Sequence, residues 1–239
     1  MKGIILAGGT GSRLRPLTNI MNKHMIPVGG YPMAHYAVEK LKMAGIRDIL
    51  LVIGKQSASL FIDYFGSGAE HGVNISYKIQ EQAGGVAQAL LSAEGFPDKG
   101  EKMIVLLGDN LFETSLNRHM ERFSRLPEGT ASVFLTKVSD PSRYGVPVFN
   151  GDKIIRIIEK PEYPPSGFCV TGIYMYDSGI FDVIRRIRPS ARGEWEITDV
   201  NNIYAAEGML SYHILNGWWM DAGTFPSLME AHNKLAGGD

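Results

Sequence analysis

The residues best suited to chemistry lie in a glycine-rich segment directly after the first apolar run of the chain. Gly8, Gly9 and Gly11 can bring the backbone close to a ligand and point successive N–H groups at phosphate oxygens. Arg13 adds a planar set of donors that matches a phosphate, and Lys23 follows ten residues later. The combination favours a phosphate-binding loop over an ordinary tight turn.

Two well-known phosphate-binding motifs do not fit this segment. When G-x-G-x-x-G is read from Gly9, Leu14 stands at the third glycine position, where close packing of helix on strand needs a very small residue. No Gly-Lys-Ser or Gly-Lys-Thr follows, so the loop is not a P-loop. A dinucleotide-dependent oxidoreductase is therefore disfavoured.

A carboxylate follows another apolar run. Asp109 comes just after residues 103–107, at the carboxyl end of a predicted strand. Mg²⁺ takes one or two carboxylates together with phosphate oxygens and water, so an aspartate here could hold it against a triphosphate. The alternative is a turn or helix cap, which is a common use of aspartate.

The elements that must position these residues follow an alternating pattern. Short apolar runs rich in Ile, Val and Leu predict buried strands at residues 3–7, 48–53, 75–80, 103–107 and 131–137. Helices are predicted at residues 32–44, 86–93 and 115–125. This order predicts an α/β fold with a Rossmann-like, doubly wound mixed sheet in three layers, α/β/α. Ligands bind such sheets outside the carboxyl ends of the strands.

The second half of the chain has a different pattern. Strands are predicted at residues 146–149, 153–159 and 171–176, with a hairpin turn at Gly151-Asp152. Helices are predicted at residues 178–187, 196–207 and 225–235. Because no linker-like segment divides the halves, we predict a single domain over 1–239. Residues 1 to about 130 would bind a nucleotide and residues from about 131 to 239 a substrate, on one mixed sheet.

Composition excludes several classes of protein. The 239 residues contain 24 Lys and Arg against 25 Asp and Glu, a net charge of −1, with 44% apolar residues. This balance argues against disorder and against a nucleic-acid partner, which would need a positive surplus. The lone cysteine, Cys169, cannot form an internal disulfide and points to the cytoplasm. No apolar run is long enough for a membrane span.

The glycine-rich segment also resembles a known family. Residues 6–18, LAGGTGSRLRPLT, continued by Lys23 and Pro27, are similar to the signature of sugar-nucleotide pyrophosphorylases, and within them to the glucose-1-phosphate thymidylyltransferases. The resemblance runs the length of the chain. It includes GGVAQA at 84–89, GDN at 108–110, RYGV at 143–146, EKP at 159–161, VTG at 170–172, PSARGE at 189–194, EITD at 196–199 and DAGT at 221–224.

This resemblance implies a reaction. The phosphate of glucose 1-phosphate would attack the α-phosphorus of dTTP, giving dTDP-glucose and pyrophosphate, as in dTDP-rhamnose and polysaccharide biosynthesis. It implies Mg²⁺ as the cofactor, held by Asp109 and Asp221. A homo-oligomer is the family expectation, while the composition already predicts neither a nucleic-acid nor a membrane partner.

The resemblance further implies a role for each matching residue. The catalytic residues would be Arg13, Lys23, Asp109 and Lys160. The nucleotide would be bound by Leu6, Gly8, Gly9, Thr10, Gly11, Arg13, Lys23, Gln80, Gly85 and Asp109. Gln80 offers both a donor and an acceptor, as the edge of a pyrimidine requires. The sugar phosphate would be bound by Tyr144, Gly145, Glu159, Lys160, Val170 and Thr171.

Two alternatives stay open. The same reaction could use UTP and form UDP-glucose, because a single methyl group discriminates by only about 1–3 kcal/mol. The protein could also be a sensor that binds nucleotide sugars without turning them over. The joint presence of Arg13, Lys23, Asp109 and Asp221 weighs against a sensor, which needs neither a metal nor an exit for pyrophosphate.

The histidine, tryptophan and cysteine side chains are interpreted as structural. The six histidines show no metal-ligand spacing, so His24, His35 and His213 are predicted to be surface or packing residues. Trp218-Trp219 is interpreted as aromatic bulk, and Cys169 as a small core residue.

Overall fold

The computed structural model of the chain describes residues 1–237, so the last two positions of the predicted domain 1–239 lie outside the described residues. The strands are β1 (Lys2–Ala7), β2 (Pro27–Val28), β3 (Tyr31–Pro32), β4 (Asp48–Gly54), β5 (Asn74–Gln80), β6 (Lys102–Leu107), β7 (Asn110–Phe112), β8 (Ala131–Lys137), β9 (Gly145–Asn150), β10 (Lys153–Glu159), β11 (Phe168–Asp177), β12 (Leu210–Ile214) and β13 (Trp219–Asp221). The helices are α1 (Met33–Met43), α2 (Ala58–Phe65), α3 (Val86–Leu91), α4 (Asn117–Ser124), α5 (Ile180–Ile184), α6 (Ile197–Ala206) and α7 (Phe225–Ala236).

A mixed seven-stranded sheet forms the centre of the fold. Its strand order is β12-β8-β11-β6-β1-β4-β5. Strand β1 pairs in parallel with β6 on one side and β4 on the other, and β4 pairs in parallel with β5. Strand β11 runs antiparallel to both of its neighbours, β6 and β8. The carboxyl ends of β1 and β6 therefore lie side by side, and so do the loops that follow them.

Both faces of this sheet are covered by helices. Along β1, Ile4 and Leu6 face one core, while Ile5 and Ala7 face the other. Helices α3, α5 and α6 contribute to the first core, and helices α1, α2 and α4 to the second. Burial on both faces explains why the strands read as continuous apolar runs. The predicted three-layer α/β/α arrangement is confirmed.

A small ribbon and the last helix form a third apolar cluster. Strand β7, which is separated from β6 by two residues, pairs antiparallel with β13. Leu111 and Met220 from this ribbon pack with Leu228 and Ala231 of α7 and with Leu14 of the glycine-rich segment. The ribbon thus attaches the end of the chain to the loop after β1.

Several sequence-based expectations need correction. The hairpin at Gly151-Asp152 is confirmed, but β9 and β10 form a separate two-stranded sheet instead of joining the main one. Pro147 in β9 has no N–H to donate to a sheet ladder. Helix α2, the edge strand β12 and the β7–β13 ribbon were not predicted. No helix among residues 1–237 combines the length and the apolar character needed to cross a bilayer.

Candidate active site

A cleft of about 690 Å³ opens where β1 and β6 end, between the main sheet and the β9–β10 hairpin. The predicted residues that line it are Leu6, Gly8, Gly9, Thr10, Arg13, Lys23, Gln80, Gly85, Asp109, Tyr144, Gly145, Glu159, Lys160, Val170, Thr171 and Asp221. Gly11 alone among the predicted site residues does not line it. The cleft has the size of an ordinary small-ligand site.

The loop after β1 owes its path to its glycines. A Cβ added to Gly8 would lie 2.1 Å from Oε1 of Gln80, so any larger residue here would displace the Gln80 side chain. Gly11 has a φ of 65°, in the left-handed region, and its carbonyl accepts hydrogen bonds from Leu14 N at 2.9 Å and Thr18 Oγ1 at 2.8 Å. Gly11 therefore shapes the turn.

Asp109 is buried at the floor of the cleft, and both of its carboxylate oxygens have partners. Lys23 Nζ donates to Oδ2, and Asn110 Nδ2 donates to Oδ1 at 3.2 Å. Burial opposes ionisation, but the charge of Lys23 and these hydrogen bonds outweigh it, so the pKa of Asp109 lies below its usual range. Asp109 is therefore charged at neutral pH.

Asp221 reaches the same place from the far end of the chain. It ends β13 opposite Asn110 of β7, and Ala222 N donates to the Asp109 carbonyl at 3.0 Å. Burial raises the pKa of Asp221, and the negative charge of Asp109 raises it further. Arg13 partly offsets this repulsion, with Nη2 3.6 Å from Asp221 Oδ2. The two carboxylates thus converge on one side of the cleft.

This pair of carboxylates could hold a divalent cation whose other ligands come from a bound phosphate and from water. Within residues 1–237, no group of three or more His, Cys, Asp or Glu side chains is arranged to hold a metal ion. A cation held by Asp109 and Asp221 would take its remaining ligands from phosphate oxygens and water, which is the usual coordination of Mg²⁺. It would also neutralise the repulsion that raises the pKa of Asp221.

His24 is a cleft residue that the sequence analysis interpreted as a surface or packing side chain. It is buried beneath Lys23 and Asp109, and its Nδ1 lies 2.8 Å from Asn22 Oδ1. Burial and the neighbouring Lys23 lower the pKa of His24 to about 3, so its ring is neutral. His24 therefore fills the space below the ion pair without adding charge.

Glu159 and Lys160 lie across the cleft at the end of β10. Thr198 Oγ1 donates to Glu159 Oε2 at 2.6 Å, and Arg192 Nη2 lies 3.4 Å from Glu159 Oε1. Lys160 has a φ of 45° and is the one residue other than glycine with positive φ in the described part of the chain. Its N–H donates to the Tyr144 carbonyl at 2.9 Å, which holds this uncommon conformation in place.

Gly85 joins two loops of the cleft. Its φ is 101°, and an added Cβ would lie 2.6 Å from the Trp195 carbonyl oxygen. Trp195 N donates to the Gly84 carbonyl at 2.8 Å, and Ala87 N donates to the Trp195 carbonyl at 3.1 Å. The loop before α3 is therefore hydrogen-bonded to the loop that carries Arg192.

Asn110 and Trp219 were missed as functional candidates. Asn110 Oδ1 accepts from Gly172 N and from Trp219 Nε1, each at 2.8 Å. Trp219 also packs edge-on against Tyr144, with ring centroids 5.5 Å apart. The interpretation of Trp219 as packing bulk is thus incomplete, because its indole N–H ties β13 to the residue beside Asp109. The buried position predicted for Cys169 is confirmed.

The family of the chain is shown by comparison with known proteins. The model of the Nucleotidyl transferase family matches residues 2–238, so the chain belongs to this family. A curated glucose-1-phosphate thymidylyltransferase from Mycolicibacterium smegmatis is 43% identical over 236 residues, spanning 97% of this chain and 81% of that protein. One from Xanthomonas campestris is 44% identical over 238 residues, spanning 98% and 80%.

Solved structures share the fold over the whole chain. A provisionally named glucose-1-phosphate thymidylyltransferase from Bacillus anthracis, crystallised with sucrose, has a TM-score of 0.95 and 48% identity, and the match covers 100% of this chain and 96% of that one. A UDP-glucose pyrophosphorylase complexed with UDP-glucose has a TM-score of 0.88 and 26% identity, covering 100% and 99%. The predicted family and fold are confirmed.

Proposed function

We propose that the protein is a glucose-1-phosphate thymidylyltransferase that joins dTTP and glucose 1-phosphate to form dTDP-glucose and pyrophosphate. The observation that carries the proposal is the convergence of Asp109 and Asp221 beside Lys23 and the glycine-rich loop. Curated relatives at 40–44% identity with that name support it. Such a site neutralises and aligns phosphates, which is what nucleotidyl transfer requires.

On this proposal, residues 1 to about 130 hold the nucleoside triphosphate. The N–H groups of the loop after β1 and the guanidinium of Arg13 bind phosphate oxygens, with Leu6 and Thr10 beside them. Lys23 changes partner from Asp109 to a phosphate oxygen. Mg²⁺, the metal we propose for Asp109 and Asp221, supplies positive charge against the triphosphate. Gln80 and Gly85 hold the base.

Residues from about 131 to the end of the chain hold the sugar phosphate. Glu159, oriented by Thr198 at 2.6 Å, accepts hydrogen bonds from sugar hydroxyls. The backbone of Gly145 binds the same hydroxyls, and a side chain here would crowd Thr198, because an added Cβ would lie 3.3 Å from its Oγ1. Lys160 neutralises the phosphate, while Tyr144, Val170 and Thr171 complete the wall.

The chemical step needs no basic side chain. An oxygen of the sugar phosphate attacks the α-phosphorus, the bond to the β-phosphate breaks, and pyrophosphate leaves on the opposite side. The attacking phosphate is already ionised at pH 7. Catalysis therefore consists of alignment and charge neutralisation by Arg13, Lys23, Lys160 and the metal held by Asp109 and Asp221.

UTP remains the second candidate substrate. The fold is shared with a UDP-glucose pyrophosphorylase, and the cleft has to distinguish only one methyl group between the two bases. We also propose a cytoplasmic location, supported by the buried free thiol of Cys169. A homo-oligomer is proposed on family resemblance alone, and light scattering would test it.

A substrate matrix tests the proposed reaction. Purified protein is incubated with dTTP, UTP, dCTP, ATP or GTP against several hexose 1-phosphates, with Mg²⁺ or with a chelator, and pyrophosphate is followed. The proposal predicts the highest kcat/KM with dTTP and glucose 1-phosphate and no turnover with the chelator. Nucleotide-sugar binding without any pyrophosphate would instead identify a sensor.

A further inference from the structure

We propose that Gln88, a residue of α3, is a positioning residue that fixes the side-chain amide of Gln80 and thereby determines which bases the cleft accepts. This rests on the proposed function, in which Gln80 reads the base. Gln80 ends β5 and is buried, whereas Gln88 is half-buried in the first turn of the helix. Their side chains are hydrogen-bonded at 2.8 Å.

A main-chain N–H group fixes the positions of the oxygen and nitrogen atoms in both side-chain amides. The backbone N–H of Gly84 lies 3.0 Å from the Gln88 side chain. A backbone N–H can only donate, so the Gln88 atom facing it is the oxygen, Oε1. The same oxygen lies 2.8 Å from the Gln80 amide, so the Gln80 atom facing it is the donor, Nε2.

The carbonyl oxygen of Gln80 must then point the other way. It lies against Gly8, where an added Cβ would approach it to 2.1 Å, and Gly8 lines the large cleft. Gln80 also lines a second cavity of about 350 Å³ that it shares with Gln88 and Ser92. Without Gln88, the Gln80 amide would face a cavity on each side, and nothing would fix which of its two polar atoms points into the large cleft.

A fixed acceptor selects between base edges by their chemistry. Thymine and uracil carry an N–H at N3, which can donate to the Gln80 carbonyl oxygen. Cytosine has a lone pair at N3, so two acceptors would face each other in a buried place. A buried group left without its partner costs about 1–3 kcal/mol, so a locked Gln80 favours thymine and uracil over cytosine.

A pair of variants isolates this role. Gln88→Met removes the acceptor but keeps a chain of similar length, and Gln88→Glu keeps acceptor oxygens for both Gly84 N and Gln80 Nε2. Each is compared with wild type in kcat/KM for dTTP and dCTP, and in Kd for both nucleotides by calorimetry. Ser92→Ala is the matched control, because Ser92 lines the same small cavity and its hydroxyl donates to the main-chain carbonyl of Gln88, not to the side chain.

In Gln88→Met the preference for dTTP over dCTP should fall about tenfold, within the range expected for one buried hydrogen bond. The loss should appear in KM and Kd, whereas Gln88→Glu and Ser92→Ala keep the wild-type preference. An unchanged preference in Gln88→Met, or an equal loss in Gln88→Glu, would overturn the role of Gln88 alone. A wild type that binds neither nucleotide would overturn the proposed function and this inference with it.

Discussion

Lys23 Nζ donates a hydrogen bond to Oδ2 of Asp109, which follows β6 and is buried at the floor of the cleft. This pairing explains how the buried carboxylate of Asp109 stays charged, because the ammonium group of Lys23 supplies the favourable interaction that water would otherwise provide. It also places the ammonium group of Lys23 between the glycine-rich loop and the proposed metal site.

Removing Lys23 should therefore damage both stability and activity. Lys23→Met leaves Asp109 buried without its neighbouring charge, which typically costs about 3–5 kcal/mol. We expect a matching drop in the free energy of unfolding in urea and a loss of at least about 10²-fold in kcat. Lys78→Met, at an exposed position of β5, is the control. Equal unfolding curves for the two variants would contradict the account of the ion pair.

Alanine variants of Gly85 and Gly95 distinguish the effect of backbone strain from that of a steric clash. Both have left-handed φ values, 101° and 82°, but an added Cβ meets Trp195 O at 2.6 Å at Gly85 and nothing within 4 Å at Gly95. Backbone strain should cost both alanine variants about 1–3 kcal/mol of stability, and Gly85→Ala should lose more, because its Cβ also meets the main chain of Trp195. Gly85→Ala alone should also raise the KM for the triphosphate, by about tenfold or more. Equal KM values in the two variants would show that the contact with Trp195 does not shape the site.

Thr198 should matter for the sugar phosphate and not for the nucleotide. Thr198→Val keeps the shape of the side chain but removes the 2.6 Å hydrogen bond to Glu159. A hydrogen bond to a charged group contributes about 1.5–3 kcal/mol, so the KM for glucose 1-phosphate should rise at least about tenfold. Ser190→Ala, which removes a hydrogen bond to Glu196 instead, serves as the control. A rise in the KM for dTTP alone would contradict the assignment of Glu159.

The lowered pKa of His213 should make the stability of the protein depend on pH. Burial first, and then the neighbouring His119 and Arg122, lower its pKa from 6.5 to about 4. Between these two values the unfolded chain binds more protons than the folded one, so stability falls as the pH is lowered from about 6.5 toward 4. Denaturation curves measured across this range should show a smaller fall in His213→Phe. Parallel pH profiles for the variant and the wild type would exclude this contribution.

The sequence was informative where a single property decides the structure. Continuous apolar runs identified the strands buried on both faces, such as β1, β4 and β6. Strand β12 was missed because Leu210–Ile214 forms a half-exposed edge that contains serine, tyrosine and histidine. The β7–β13 ribbon, three residues on each side, depends on pairing between distant segments, and no local pattern encodes that.

The candidate site also contains both residues that the sequence predicted and residues that it did not. Asp109 and the glycine-rich loop were found from residue type and position, and family resemblance supplied Asp221, Glu159 and Lys160. Asn110 and Thr198 were not singled out, because each matters only through the side chain or main chain it contacts. A strand-end asparagine next to a candidate metal ligand was the one local signal for Asn110.

The proposed sharing of one metal ion by Asp109 and Asp221 is tested most directly by a double-mutant cycle on Mg²⁺-dependent pyrophosphate release. The variants are Asp109→Asn, Asp221→Asn and the double variant, with Asp152→Asn in the exposed hairpin turn as control. Each single change should lower kcat/KM by at least about 10²-fold. If both carboxylates hold one ion, as proposed, the double variant should be about as slow as the slower single variant. Losses that multiply, or an Asp221→Asn enzyme as active as the control, would contradict the account.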